Sequence, residues 1–102
     1  MAYKIEFAPR AMRDLHDIPK GVRKPIEPLI ASLASDPRPA GATNVKELDK
    51  CYRLRTADFR IIYAVYDYRL VVLVLSIADR KEAYTTREMD AIRKELRRRL
   101  SP

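Results

Sequence analysis

The chain has 102 residues, enough for one domain and too few for two. Its 47% hydrophobic content supports a modest packed core, and two glycines without any low-complexity run argue against disorder. The formal charge of +7 is uneven: residues 1–50 hold nine basic and seven acidic side chains, a net of +2, and residues 51–102 hold twelve and seven, a net of +5. Such an excess points to an acidic partner, nucleic acid or protein, or simply to a well-solvated basic surface.

Cys51 is the one cysteine and His16 the one histidine, so an internal disulfide is excluded and a zinc cluster has too few ligands. The first six residues lack the apolar stretch of a signal peptide. The longest apolar run, Leu70 to Leu75, is far shorter than the roughly 20 residues of a bilayer span. The expectation is a reducing cytoplasm, no membrane partner, no metal and no cofactor.

Taken in chain order, Tyr3, Ile5 and Phe7 alternate with Lys4 and Glu6, the period of a half-buried strand. Pro9 suits the first turn of a helix, and Ala11, Met12, Leu15 and Ile18 follow at helical spacing until Pro19 closes the segment. A second helical pattern runs through Val22, Ile26, Leu29, Ile30 and Leu33. Pro25 fits its first turn, but an interior Pro28 removes a hydrogen bond, so a bent or late-starting helix is expected. Asp36-Pro37-Arg38-Pro39-Ala40-Gly41 reads as a loop. From Cys51 to Thr56, Tyr52 and Leu54 alternate with Arg53 and Arg55; Phe59 to Tyr66 is aromatic and β-branched. Leu70 to Ile77 is almost wholly apolar, the mark of a strand covered on both faces. Short connections at Ala57-Asp58 and Asp67-Tyr68 predict a meander of two hairpins.

Thr85 and Glu88 have capping-box spacing ahead of a last helix. Met89, Ile92, Leu96 and Leu100 form its apolar stripe, and Arg93, Lys94, Arg97, Arg98 and Arg99 its other face. This helix either covers the open side of the sheet, is mobile, or is displaced by a partner. The predicted fold is a single α+β domain over residues 1–102, in the order β-α-α-β-β-β-α. The two N-terminal helices pack on one face of a mostly antiparallel sheet, and the C-terminal helix is basic.

A hairpin turning at Ala57-Asp58 sets Thr56 opposite Phe59, Arg55 opposite Arg60 and Arg53 opposite Ile62. Opposed residues share a face, so Arg53, Arg55 and Arg60 converge unless the register slips by one residue. Facing like charges destabilise a hairpin by a few tenths of a kcal/mol or more. Either the three bind an anion such as an RNA phosphate, or each sits exposed near a carboxylate. Arg80 and Tyr84 follow the long apolar strand. Tyr84 has three candidate roles: stacking on a base, donating a proton, or anchoring the C-terminal helix. His16 reads as a surface residue, Glu47 and Asp49 as members of a polar loop, and two glycines make no phosphate loop.

Tyr-Arg-Leu-Arg at 52–55, Asp-Phe-Arg-Ile-Ile-Tyr at 58–63, the apolar strand Leu70–Ile77 and Asp-Arg-Lys-Glu-Ala-Tyr at 79–84 resemble the RelE/ParE superfamily of bacterial toxins, the RelE branch most closely. Phe7-Ala8-Pro9-Arg10-Ala11 and Asp36-Pro37 extend the resemblance over nearly the whole chain. It implies a toxin of a type II toxin–antitoxin system, a ribosome-dependent mRNA endoribonuclease that cuts in the 30S A site and inhibits translation. No metal is implied: the ribose 2′-hydroxyl attacks its neighbouring phosphate, leaving a 2′,3′-cyclic phosphate and a 5′-hydroxyl. By position, Arg53 and Arg55 match two basic residues of the first meander strand, Arg60 the arginine opening the next, and Arg80 and Tyr84 the arginine and tyrosine after the last.

The implied catalytic residues are Arg55, Arg60, Arg80 and Tyr84, with Arg60 and Arg80 stabilising the phosphorane-like charge and Tyr84 stacking on the nucleotide. Arg53, Lys81, Arg93, Lys94 and Arg97 are assigned to RNA or rRNA contacts. Some members of the RelE branch carry lysine where Arg53 and Arg55 stand. Arginine stays protonated, so Arg55 acts electrostatically, or Tyr84 or the ribosome assists, or cleavage is slow. The implied partner is a cognate acidic RelB-like antitoxin, which suits the positive charge; the stripe of the last helix is one place for it to act. Two other readings stand beside this one. A ParE-like toxin shares the fold and blocks DNA gyrase, but generally lacks the full arginine–tyrosine set. A homologue without chemistry would only bind nucleic acid.

Overall fold

The computed structural model describes residues 2–56, 58–79, 81, 83 and 85–100, the side chain of Leu100 excepted. Strand β1 (Lys4–Phe7) leads through Ala8 into helix α1 (Pro9–Asp17). Ala8 is extended, and Pro9 takes the first helical position, where a missing N–H leaves no helical bond unmade. Ala11 and Leu15 face the core, whereas Met12, at neighbouring helical spacing, is exposed. The helix stops at Ile18, whose extended backbone is the conformation that the following proline favours.

The expected second helix is broken in two, α2 (Lys20–Arg23) and α3 (Ile26–Ser32). Pro25 has no N–H to carry the ladder across the joint. Pro28 falls in the first turn of α3, where an N–H has no helical partner in any case. The late start expected from Pro28 is therefore present. The break turns Val22 outward, while Ile26, Ile30 and Leu33 are buried as their spacing predicts.

Strands β2 (Thr43–Asn44), β3 (Cys51–Thr56), β4 (Phe59–Tyr66) and β5 (Val71–Asp79) follow, and α4 (Thr86–Leu100) closes the chain. The sheet order is β1-β5-β4-β3-β2. β1 runs parallel to β5, and the other pairs are antiparallel. β2 leaves no mark in the sequence, because two exposed polar residues carry no periodicity; Thr43 pairs with Arg53 and Asn44 with Tyr52. The second connection of the meander is longer than expected. A 3-10 turn at Asp67–Arg69 is followed by Leu70 in the left-handed region (φ 54°, ψ 49°), and β5 starts at Val71.

β5 lies between β1 and β4 and is buried from Val71 to Ile77, as an apolar run covered on both faces should be. On one face α1 and α3 pack Leu15, Ile26, Ile30 and Leu33 against Leu54, Ile61, Tyr63, Val72 and Val74. On the other, α4 sets Met89, Ile92 and part of Leu96 against Ile62, Ala64, Leu73 and Leu75. Of the three roles open to the last helix, covering the sheet is the one it takes here. A β-bulge shifts the β4–β5 register between Ile62–Ser76 and Tyr63–Val74. It puts Leu75 and Ser76, neighbours in sequence, on the α4 side together, which strict alternation forbids.

Candidate active site

The β3–β4 hairpin has the register that the turn length predicts: Thr56 opposite Phe59, Arg55 opposite Arg60, Arg53 opposite Ile62. Arg53, Arg55 and Arg60 therefore share the sheet face on which α4 lies, at the end beyond its first turn. Arg53 and Arg60 are half-buried and Arg55 is exposed. Arg60 Nη1 donates to the Phe59 carbonyl at 3.4 Å, and Arg60 pairs on its other side with Ala78 of β5. Among the described residues neither Arg55 nor Arg60 has a carboxylate within ion-pair distance. Two guanidinium groups thus face each other across a ladder with no anion of the chain, among those residues, to neutralise them. The arrangement suits a phosphate, which planar guanidinium forks bind well.

Beside this pair, a cleft of about 460 Å³ opens between β3, the loop before it and α4. Arg53, Lys46 and Arg93 bring three cations to its wall; Glu47 brings one carboxylate, and Thr86 and Met89 line the helix side. Arg93 also pairs with Asp90 at 3.2 Å. Lys94 and Arg97 lie on exposed α4 surface outside the cleft lining, and Lys81 is exposed, its backbone N–H bonded to Asp79 Oδ1 at 2.9 Å. The structure therefore gathers Arg53, Arg55, Arg60 and Arg93 and leaves Lys94 and Arg97 apart. Arg80 and Tyr84 lie outside the described residues. His16 is exposed, in keeping with a surface role.

What holds α4 beside the arginines escaped the reading of the sequence. Glu88 is 6% exposed. Its carboxylate accepts from Ser76 Oγ on β5 and from the Arg10 guanidinium on α1, so one side chain ties three elements. The Glu88 N–H donates to Thr85 Oγ1 at 3.2 Å, the backbone half of the expected capping box. The side chain, however, serves the anchor. Burial alone would raise the Glu88 pKa, but the bonds from Arg10 and Ser76 more than offset it and hold the group below its usual range. Nearby Asp14 accepts the Ile77 N–H at 3.1 Å, beyond the point where β1 pairs with β5; burial pushes its carboxyl up. Ser76, the one hydroxyl in the apolar run, was the signal available in the sequence: on a strand covered on both sides it needs a partner.

A second staple lies at the other end of the sheet. Arg38 grips Asp67 with both terminal nitrogens (3.1 and 2.6 Å), Tyr3 donates to Asp67 at 2.6 Å, and Arg38 Nε donates to the Tyr52 hydroxyl at 2.8 Å. The bonds from Arg38 and Tyr3 hold the Asp67 carboxyl down at about 2.

A five-stranded sheet with α1 and α3 on one face, α4 on the other and arginines paired on β3 and β4 defines a small α+β domain with a basic, arginine-bearing face. Residues 5–84 match the family model described as the ParE toxin of type II toxin–antitoxin systems, parDE. The chain belongs to this family, within the RelE/ParE superfamily of toxins. A Methanocaldococcus jannaschii protein assigned as toxin RelE1 is 31% identical over 87 residues, covering 82% of this chain and 97% of its own. The mRNA interferase toxin RelE of Escherichia coli is 29% identical over 83% of this chain and 93% of its own. Among solved structures, a double mutant of E. coli RelE in the free state superposes with a TM-score of 0.74 at 24% identity, covering 94% of this chain and 99% of that one. The RelE chain of the intact E. coli RelBE toxin–antitoxin complex does so at 0.67 and 27% identity, covering 76% and 96%. Among the described residues no helix is long and apolar enough to cross a membrane.

Proposed function

We propose that this toxin is a ribosome-dependent endoribonuclease that cuts messenger RNA in the 30S A site. The observation that carries the reading is the Arg55–Arg60 pair, opposed on the ladder, with Arg53 one step along the same face. The interferase name of its E. coli relative supports it. In the proposed reaction the ribose 2′-oxygen forms a bond to phosphorus as the phosphorus–5′-oxygen bond breaks. The 2′-proton leaves to a base, and the 5′-oxygen takes up a proton. Arg55 and Arg60 carry the charge on the non-bridging oxygens, a step that needs no metal. A guanidinium is a poor general base near neutral pH, so the base is another group. Arg80 and Tyr84 complete the proposed catalytic set, and Arg53, Lys81, Arg93, Lys94 and Arg97 the RNA contacts. The proposed inhibitor is an acidic antitoxin of the RelB kind, as in the RelBE complex, acting on the basic face and α4 in the cytoplasm.

Primer extension on a defined message held in programmed ribosomes tests the reading, with the wild-type chain and with Arg60→Ala and Arg80→Ala. Cuts at the A-site codon that need ribosomes should fall about 100- to 1,000-fold in rate in each variant, the usual cost of one preorganised donor. An intact message at high protein concentration would sink the reading. The matching family model is named for ParE toxins, which keeps a second reading, the inhibition of DNA gyrase that a ParE resemblance implies. A supercoiling assay unaffected by the chain would dispose of it.

A further inference from the structure

The end of the sheet far from Arg55 and Arg60 carries a basic, aromatic corner that the proposed reaction does not use. Tyr68, in the turn between β4 and β5, is 74% exposed. Tyr66 stands at 84° to it with ring centroids 6.4 Å apart, so it braces the Tyr68 ring without stacking on it. The Lys50 ammonium lies 5.6 Å from the centre of the Tyr68 ring. Lys50 and Leu70 are the non-glycine residues with left-handed backbone among those described (φ 60° and 54°), and both bracket this corner. Each is tied in place by its carbonyl, Lys50 accepting from the Val65 N–H at 3.0 Å and Leu70 from the Lys4 N–H at 2.7 Å.

Among the described residues neither Lys50 nor Arg69 has a carboxylate within ion-pair distance, although the Lys50 charge is felt at Asp67, which Arg38 and Tyr3 grip directly. A cleft of about 140 Å³ separates Tyr68 and Arg69 from Arg99 of α4; Glu6 also lines it, and its carboxylate pairs with Arg99 at 3.6 Å, which leaves Lys50 and Arg69 as the cations for a ligand. An exposed ring between unpaired cations is the combination that binds single-stranded nucleic acid: a base stacks on the ring and the cations meet phosphates. An acidic peptide would use the cations and leave the ring without a partner. Arg60 and Tyr66 lie on the same face of β4, six residues apart, hence about 20 Å at roughly 3.3 Å per residue. α4 crosses that face, its first turns at the Arg53 cleft and Arg99 at the Tyr66 end.

We propose that the Tyr68 corner is a second RNA-contacting surface, which stacks a base on Tyr68 and holds the neighbouring phosphates with Lys50 and Arg69. It grips the same RNA strand that the arginine face engages, and so rests on the reading of that face as an RNA site. Fluorescence anisotropy with a labelled single-stranded RNA of about ten nucleotides, and with a trinucleotide, tests it at one fixed low salt concentration. Tyr68→Ala, whose exposed position leaves the circular dichroism spectrum unchanged, should weaken binding of the longer RNA by roughly 5- to 100-fold. Tyr68→Phe should retain it, and trinucleotide binding at the arginine face should not respond to Tyr68→Ala. Wild-type affinity of Tyr68→Ala for the longer RNA overturns the proposal; if Arg60→Ala still weakens binding, the arginine reading survives alone. Loss with Tyr68→Ala but none with Arg60→Ala upholds the corner and removes Arg60 from the RNA surface. A Tyr68→Ala defect towards polyglutamate and not towards RNA makes the corner a peptide site and overturns the proposal.

Discussion

Glu88→Ala removes the anchor of α4. Ser76 is fully buried, and without the carboxylate its hydroxyl loses its acceptor, which costs about 1–3 kcal/mol. Arg10 loses its counter-ion as well. Its side chain keeps 37% of its exposure, so water replaces the lost acceptor. This part then falls well below the roughly 3–5 kcal/mol of a fully buried pair, nearer the ~1 kcal/mol of a surface one. The sum is about 2–4 kcal/mol, a large share of the ~5–15 kcal/mol of a typical domain, and lowers Tm by roughly 10–30 °C. Glu88→Gln keeps one acceptor oxygen and should cost about 1 kcal/mol. Urea unfolding of Glu88→Ala, Arg10→Ala and the double variant gives the coupling, expected between about 0.5 and 2 kcal/mol. Hydrogen exchange should show α4 amides losing protection before those of β4 and β5. Because the folded Glu88 pKa lies below the unfolded value, its stabilisation is complete above about pH 4.3 and is lost as pH falls through the folded pKa. Asp14, raised by burial, has the opposite sign: it weakens the fold at neutral pH, and acid relieves it. A Glu88→Ala chain within about 0.5 kcal/mol of wild type, or zero coupling to Arg10, would refute the anchor.

Three further outcomes are expected. Asp67, held down at about 2 by Arg38 and Tyr3, contributes stability above roughly pH 4 that disappears towards pH 2. Asp67→Asn should therefore flatten the acid limb of the stability curve, and identical limbs would contradict the staple. Ile92, on the sheet-facing side of α4, is 1% exposed, so Ile92→Ala should cost about 2–4 kcal/mol in urea unfolding; a change under about 0.5 kcal/mol would mean that α4 is not docked in solution. The buried Cys51 thiol, pushed up to about 12 by burial, should resist a disulfide reagent at pH 8 until denaturant is added. Stoichiometric labelling of the native chain within minutes would show that this face opens.

The sequence by itself determined what local rules govern. A two-residue turn sets hairpin register by counting, so the convergence of Arg53, Arg55 and Arg60 could be read before any fold was known. The prolines at 25 and 28 act on their own helix, so a late start of the second helix could be read as well, though not its division into α2 and α3. The apolar run to Ile77 announced a doubly covered strand for the same reason: burial on both faces leaves no alternation. Tertiary structure decided the rest. Glu88 meets Ser76 twelve positions away and Arg10 seventy-eight away, and Arg38 meets Asp67 across twenty-nine. Separations of that kind leave no period in a sequence. The bulge that turns Ser76 towards α4 depends on β4 and β5 sliding past each other by one residue, and the parallel pairing of β1 with β5 depends on where α1 and α3 deposit the chain. Whether Arg53 stays on an open surface or becomes part of the wall of a cleft beside Arg55 and Arg60 was settled by where α4 docks, and one buried carboxylate tied to two other elements holds that dock.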